Sequence, residues 1–202
     1  DLPDQFANQT LLMVDTSGAQ DDFYGIEGQT RALIQLAERL LTSNLPRCRI
    51  VIRPHPFWSD LDFESCQRLA REHRNRCEIS HPAWSLEDDL RRSSVVAGIF
   101  SGVLTVASAC GLPTIFLQTE QGYTTGDLAC FSPRQTLPPD AAFCEISKIL
   151  TDHAAYAEAR AVAQRNGREY YAEGKNAHLD GAFFERLLQA GPVKSRSGHD
   201  LK

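Results

Sequence analysis

The sequence predicts an α/β domain built on one doubly wound parallel sheet followed by C-terminal helices. Short apolar runs rich in β-branched residues alternate with amphipathic helical stretches along most of the chain. Those runs are apolar almost throughout instead of alternating, as strands covered on both faces must be. Most end in polar, Gly or Pro residues, where a parallel strand hands over to its crossover. A sheet of about six strands with helices on both faces is expected.

The elements follow in order. The run "TLLMVDT" (Thr10 to Thr16) is the first strand. "GQTRALIQLAERLLTSN" (Gly28 to Asn44) is a helix, because Leu33, Leu36, Ala37, Leu40 and Leu41 recur on one face. "RIVIR" (Arg49 to Arg53) is the second strand and should lie beside the first; a helix near Leu61 to His73 and a short strand "CEIS" (Cys77 to Ser80) come next. Ser85 caps a short helix through Arg92, with Glu87, Asp88 and Asp89 suited to its positive end. Then come the strand "SVVAGIF" (Ser94 to Phe100), the helix "GVLTVASAC" (Gly102 to Cys110) and the strand "TIFLQ" (Thr114 to Gln118), with Gly111 and Pro113 as stop signals. After Gly122 the chain reads as loop through "SPRQTLPPD" and as helix from Ala141 to Tyr171. The amphipathic piece "LDGAFFERLLQAG" closes the ordered part. Residues 1–192 are expected to form one domain with a helical extension, and residues 193–202 a disordered tail.

The 202 residues carry 21 Lys and Arg against 26 Asp and Glu, a net charge of −5 with neutral histidines. An acidic chain without a basic stripe is a poor nucleic-acid binder, since that affinity comes largely from neutralising phosphates. No apolar run reaches membrane-spanning length, and "DLPDQFANQT" lacks the features of a signal peptide, so a cytoplasmic location is expected. Cys48, Cys66, Cys77, Cys110, Cys130 and Cys144 show no CxxC pair and no zinc-ligand spacing, which favours reduced thiols over a metal or disulfide framework.

In a doubly wound sheet the ligand crevice lies beyond the carboxyl ends of the strands, so residues just past each strand carry the functional weight. Past the first strand lies "DTSGAQDDFYGIEG", with Ser17, Gly18, Asp21 and Asp22; past the second lies "RPHPFW", with Arg53, His55 and Pro56. Past the fourth come Ser101 and Gly102, and past the fifth Gln118, Thr119 and Glu120. A serine and glycine opening a helix offer a hydroxyl and free amides to a phosphate; taken alone they read better as a plain N-cap, and Arg53 and His55 at a second strand end in the same crevice change that balance. His55 stands between two prolines whose fixed φ orients its side chain at modest entropic cost, whereas His81-Pro82 reads as a turn. The chain has no GxGxxG, no P-loop, no HExxH and no GxSxG, which counts against dinucleotide binding, P-loop hydrolysis, zincin chemistry and a nucleophile elbow.

The segment "SSVVAGIFSGVLTVASACGLPTIFL" (Ser93 to Leu117) resembles the core of the C-terminal, nucleotide-sugar-binding half of GT-B glycosyltransferases. The resemblance implies one Rossmann-like half of a GT-B fold, covering roughly residues 10–120. The His-Pro pair at the end of the second strand resembles the corresponding feature of bacterial transferases that use CMP-activated sugars, including sialyltransferases and Kdo transferases, and of CDP-glycerol-using polymerases. On that resemblance His55 contacts the phosphate of a cytidine nucleotide and Ser101 makes a second phosphate or ribose contact. Thr105 lines the pocket one helical turn on, and Glu120 stands where GT-B proteins hold a ribose-binding acid. Ser101-Gly102 departs from the Ser/Ser or Ser/Thr pair of the sialyl families.

The expected function is therefore donor binding in a glycosyltransferase that moves a Kdo-like or sialic-acid-like sugar from a CMP-sugar to a capsule or lipopolysaccharide acceptor, with no metal or other cofactor. Arg53, His55, Pro56, Ser101, Gly102, Thr105, Ser17, Gly18 and Glu120 are the expected donor-site residues. Asp21 and Asp22 are candidates for a general base only because their loop should face the cleft. The expected partners are a nucleotide-sugar donor, a glycan acceptor and an N-terminal acceptor-binding domain of the same full-length protein, which would also supply any peripheral contact with the inner membrane. The alternatives are a CDP-polyol transferase or UDP-sugar epimerase of the same fold, and a non-catalytic flavodoxin-like binding module.

Overall fold

The structure is a computed structural model that describes residues 4–14, 29–45, 47–54, 60–81, 83–99, 101–118 and 136–172. After a 3-10 turn at Phe6–Asn8 the chain forms β1 (Thr10–Val14), α1 (Gln29–Thr42), β2 (Arg49–Arg53), α2 (Asp60–Glu72), β3 (Cys77–Ile79) and α3 (Leu86–Arg92). It continues as β4 (Val95–Gly98), α4 (Gly102–Ala109), β5 (Thr114–Leu117), β6 (Thr136–Leu137), α5 (Pro139–Thr151) and α6 (His153–Ala172). The strands form one sheet in the order β3-β2-β1-β4-β5-β6, every pairing parallel. From β1 the sheet grows outward to β2 and β3, then restarts on the other side of β1 with β4. The point where the order reverses therefore lies between β1 and β4, which is where this architecture opens a crevice.

Strand side chains alternate between the two faces. Leu11, Met13, Ile50, Ile52, Val95, Ala97, Ile115 and Leu117 belong to a core shared with Leu36 and Leu40 of α1, Leu69 of α2 and Ile146 of α5. Leu12, Val14, Val51, Val96 and Phe116 pack on the other face with Leu90 of α3 and Leu104 and Ala107 of α4. Both sets are buried, so the near-continuous apolar strands follow from double coverage. Helix α6 joins the layers: its Tyr156 belongs to the first core, while the carbonyl of Ala163 accepts a 3.1 Å hydrogen bond from Ser108 Oγ of α4. Tyr156 also ties down the N-terminus, its hydroxyl oxygen accepting from the Gln5 amide at 3.1 Å, and burial pushes its phenol pKa up.

Several expectations need correction. The stretch anticipated as loop contributes β6, whose Leu137 carbonyl accepts from the Gln118 amide at 2.8 Å. The anticipated helix over 141–171 is two helices that begin at Pro139. They are divided at Asp152, whose backbone is extended and whose Oδ1 accepts from the amides of Ala154 and Ala155 at 2.8 and 3.4 Å. A carboxylate that satisfies free amides starts a new helix as effectively as a proline ends one. Strand β4 stops at Gly98, two residues short of Phe100. Residues 179–191 and the tail lie outside the described residues. Cys48, Cys77 and Cys110 are buried free thiols, Cys66 is buried too, and Cys144 is exposed. Desolvation raises Cys48 to about 11 and Cys77 and Cys110 to about 12, which keeps them protonated and inert.

Candidate functional site

Arg53, Val14 and Gly98 stand side by side across β2, β1 and β4, at the carboxyl edge of the sheet. Gly98 is needed there for packing. A Cβ built on it would stand 2.7 Å from the Val14 carbonyl oxygen and 2.8 Å from Val14 Cγ2. The two strands that flank the reversal point therefore approach more closely than any side chain would allow.

Three residues later Ser101 turns the chain into α4. Its backbone is extended (φ −153°, ψ 136°), its Oγ accepts from the Val103 amide at 3.3 Å, and its carbonyl accepts from the Leu104 amide at 3.0 Å. Helix α4 thus directs its amino terminus, with its partial positive charge, at the crevice beside the reversal point. Among the described residues, a Cβ placed on Gly102, the first helical residue, meets no atom within 4 Å. Ser101 is half-buried and Gly102 exposed, whereas Thr105 is buried at 6% exposure. The helix is held from behind by its apolar residues and by the α6 carbonyl on Ser108.

Arg53 has partners of its own. Its Nη1 donates to Asp89 Oδ2 at 2.5 Å and approaches Ser80 Oγ at 3.4 Å and the Trp84 carbonyl at 3.5 Å. Asp89 on α3 is fully buried; its Oδ2 also accepts from Ser80 Oγ at 2.6 Å, and its Oδ1 accepts from Arg92 Nη2 at 2.9 Å. On the outer side Arg92 reaches Glu78 at 2.8 Å and lies 3.8 Å from the centre of the Trp84 ring. Sequence reading placed Asp89 among the acids at a helix start and missed this role. The cap itself is as expected: Ser85 and Asp88 form a reciprocal capping box. The one available signal for Asp89 was its spacing of three from Arg92, which puts both on one helix face.

His81 forms a turn, its Nδ1 accepting from the Ala83 amide at 3.1 Å and its carbonyl from the Trp84 amide at 2.8 Å. His55, Pro56, Ser17, Gly18, Asp21, Asp22 and Glu120 lie outside the described residues. Of the expected site residues the structure therefore places four. Arg53 is at one strand end, and Ser101, Gly102 and Thr105 are on the turn and helix beyond another. Among the described residues no three His, Cys, Asp or Glu side chains come together as a metal-binding group. No helix among them is long and apolar enough to cross a membrane.

No protein-family model and no curated protein sequence matches the chain. Solved structures do. TarM from S. aureus, in complex with UDP, superposes with a TM-score of 0.61 at 13% identity over 94% of this chain and 37% of that one. The pneumococcal O-GlcNAc transferase GtfA, in complex with UDP and GlcNAc, gives 0.52 at 16% identity over 89% of this chain and 36% of GtfA. A Listeria monocytogenes protein assigned as a UDP-N-acetylglucosamine 2-epimerase gives 0.53 at 18% identity over 92% of this chain and 48% of that one. The chain therefore spans between about a third and a half of these proteins, and at such identities the likeness establishes the fold. The chain has the Rossmann-like α/β fold of one half of a GT-B protein.

Proposed function

We propose that this chain is the donor-binding half of a GT-B glycosyltransferase acting on a cell-surface glycan. The observation that carries the reading is the Ser101-capped amino terminus of α4. It lies beside the β1/β4 reversal point, and among the described residues nothing stands within 4 Å of a Cβ at Gly102. A nucleotide-sugar phosphate placed there meets the Gly102 amide, the Ser101 hydroxyl and the partial positive charge of the helix end. The same groups stabilise the charge that develops on the leaving phosphate during displacement at the anomeric carbon. His55, next but one after Arg53 in sequence, supplies a second phosphate contact on this reading, and Glu120 a ribose contact. The acceptor site comes from elsewhere in the protein, and so does the general base unless Asp21 or Asp22, the candidates within this chain, serves.

The donor nucleotide is a pyrimidine on two lines of support. The "RPHPFW" resemblance favours a CMP-sugar such as CMP-Kdo or a CMP-sialic-acid-like sugar. UDP in the complexes of TarM and GtfA favours a UDP-sugar as the second reading, which also admits an epimerase. Calorimetric titration with CMP, UDP, AMP and GMP decides between them. Tighter binding of CMP than of the purine nucleotides, and at least as tight as UDP, is expected. Preference for UDP replaces the CMP-sugar reading, and no binding of any of the four removes the donor-site assignment. His55→Ala should weaken the preferred nucleotide by roughly tenfold to a hundredfold with little change in Tm, the loss of one charge-assisted contact. His81→Ala, in the other His-Pro turn, should leave affinity unchanged. Normal binding with early melting in His55→Ala would make that histidine a structural cap.

A further inference from the structure

We propose that Asp89 is a positioning residue for the nucleotide site, and that Arg53 is the strut through which it acts rather than a phosphate ligand; the inference rests on the donor-site reading above. The four charges of the cluster, Arg53 and Arg92 against Asp89 and Glu78, sum to zero. A phosphate approaching Nη1 of Arg53 would compete with a fully buried carboxylate already 2.5 Å from it. The same nitrogen is shared with Ser80 Oγ and the Trp84 carbonyl. Burying a carboxylate completely is a poor way to gain stability, because its desolvation offsets most of the pairing energy. Its geometry achieves something else. Arg53 ends β2, Ser80 follows β3 and Asp89 lies on α3, so one carboxylate locks the carboxyl ends of two strands to a helix. Val14 and Gly98, in register with Arg53, continue that edge to the turn that carries Ser101. Pro54, directly after Arg53, extends the lock into the crevice rim, since its ring fixes the backbone there.

The two roles for Arg53 predict opposite signs. Asp89→Asn keeps the shape of the side chain and releases the guanidinium. If Arg53 were a phosphate ligand, its release would leave affinity unchanged or raise it. If it is a strut, affinity should fall roughly tenfold, the equivalent of one hydrogen bond lost by misalignment. The measurement is calorimetric affinity for UDP and CMP, made well below the Tm of each variant so that unfolding does not contribute. Arg92→Gln, which cuts the outer arm of the same carboxylate, controls for stability alone: it should lower Tm and leave affinity within about twofold. Should Asp89→Asn not fold, Ser80→Ala loosens the same tether while keeping every charge, and a fall of about threefold is expected from it. Unchanged or tighter binding in Asp89→Asn or Ser80→Ala overturns the proposal. An equal loss of affinity in Arg92→Gln reduces the cluster to a stability element and overturns it too. If the parent protein binds neither UDP nor CMP, the donor-site reading fails first and this inference falls with it.

Discussion

Two glycines four residues apart should respond in opposite ways to the same added methyl group. At Gly98 the methyl would enter a space where the Val14 carbonyl oxygen stands 2.7 Å away, Val14 Cγ2 2.8 Å and Leu104 Cδ1 3.4 Å. The nearest atom is backbone in the paired strand, so relief requires β1 and β4 to move apart where they hydrogen-bond. Overpacking of this kind costs about 2 kcal/mol, and for a chain of this length that lowers Tm by roughly 4–8 °C. At Gly102 the added methyl meets nothing within 4 Å among the described residues, and alanine is the better helix former, by up to about 1 kcal/mol in a helix interior and by less in the first turn. Gly102→Ala should therefore fold as well as the parent, or slightly better. The methyl does stand at the first residue of α4, where the proposed phosphate would sit, so nucleotide affinity should fall roughly tenfold. The assay pairs thermal unfolding with nucleotide titration on both variants. A Gly98→Ala protein that melts with the parent would refute the close-approach argument, and a Gly102→Ala protein that binds normally would place the phosphate elsewhere.

Two further predictions concern groups away from the crevice. The Asp4 carboxylate lies below its ordinary value of 3.8, chiefly because it accepts from the Phe6 amide at 2.9 Å and then because of His153 at 3.1 Å. A depressed carboxylate stabilises above its unfolded value and loses that contribution as pH falls through its lower folded value. The difference in Tm between the parent and Asp4→Asn should therefore shrink as pH is lowered from about 6 to about 3, and a constant difference would contradict the pairing. Among the described cysteines, only Cys144 should react readily with iodoacetamide at about pH 8, because burial holds Cys48, Cys77 and Cys110 as thiols. Mass spectrometry of the native protein checks this, and early alkylation of Cys77 or Cys110 would contradict the buried core.

The layers of this fold were legible in the chain because its strands and helices have unmixed periodicities. "RIVIR" and "SVVAGIF" are apolar throughout because both faces of the sheet are covered, and α1 has the repeating leucines of a helix covered on one face. Ser85 and Ser101 announced their helices because a cap is a contact between residues two or three apart. The position of β4 next to β1 was not legible in the chain, since no local pattern encodes a pairing between residues more than eighty apart. Strand β6 escaped notice because two residues before a Pro-Pro pair carry no periodicity, and β5 alone makes them a strand. The charge on Asp89 was visible, but its partners were not. Arg53 lies 36 residues away and Ser80 nine, and only the folded arrangement of β2, β3 and α3 brings them to one carboxylate. Sequence by itself determined most of the helices and strands and which residues could meet a ligand, since these depend largely on neighbours along the chain. Which of those residues have room beside them among the described residues, as at Gly102, and which are already engaged, as at Arg53 Nη1, was decided by tertiary structure, because a side chain's free valence depends on what the fold places against it.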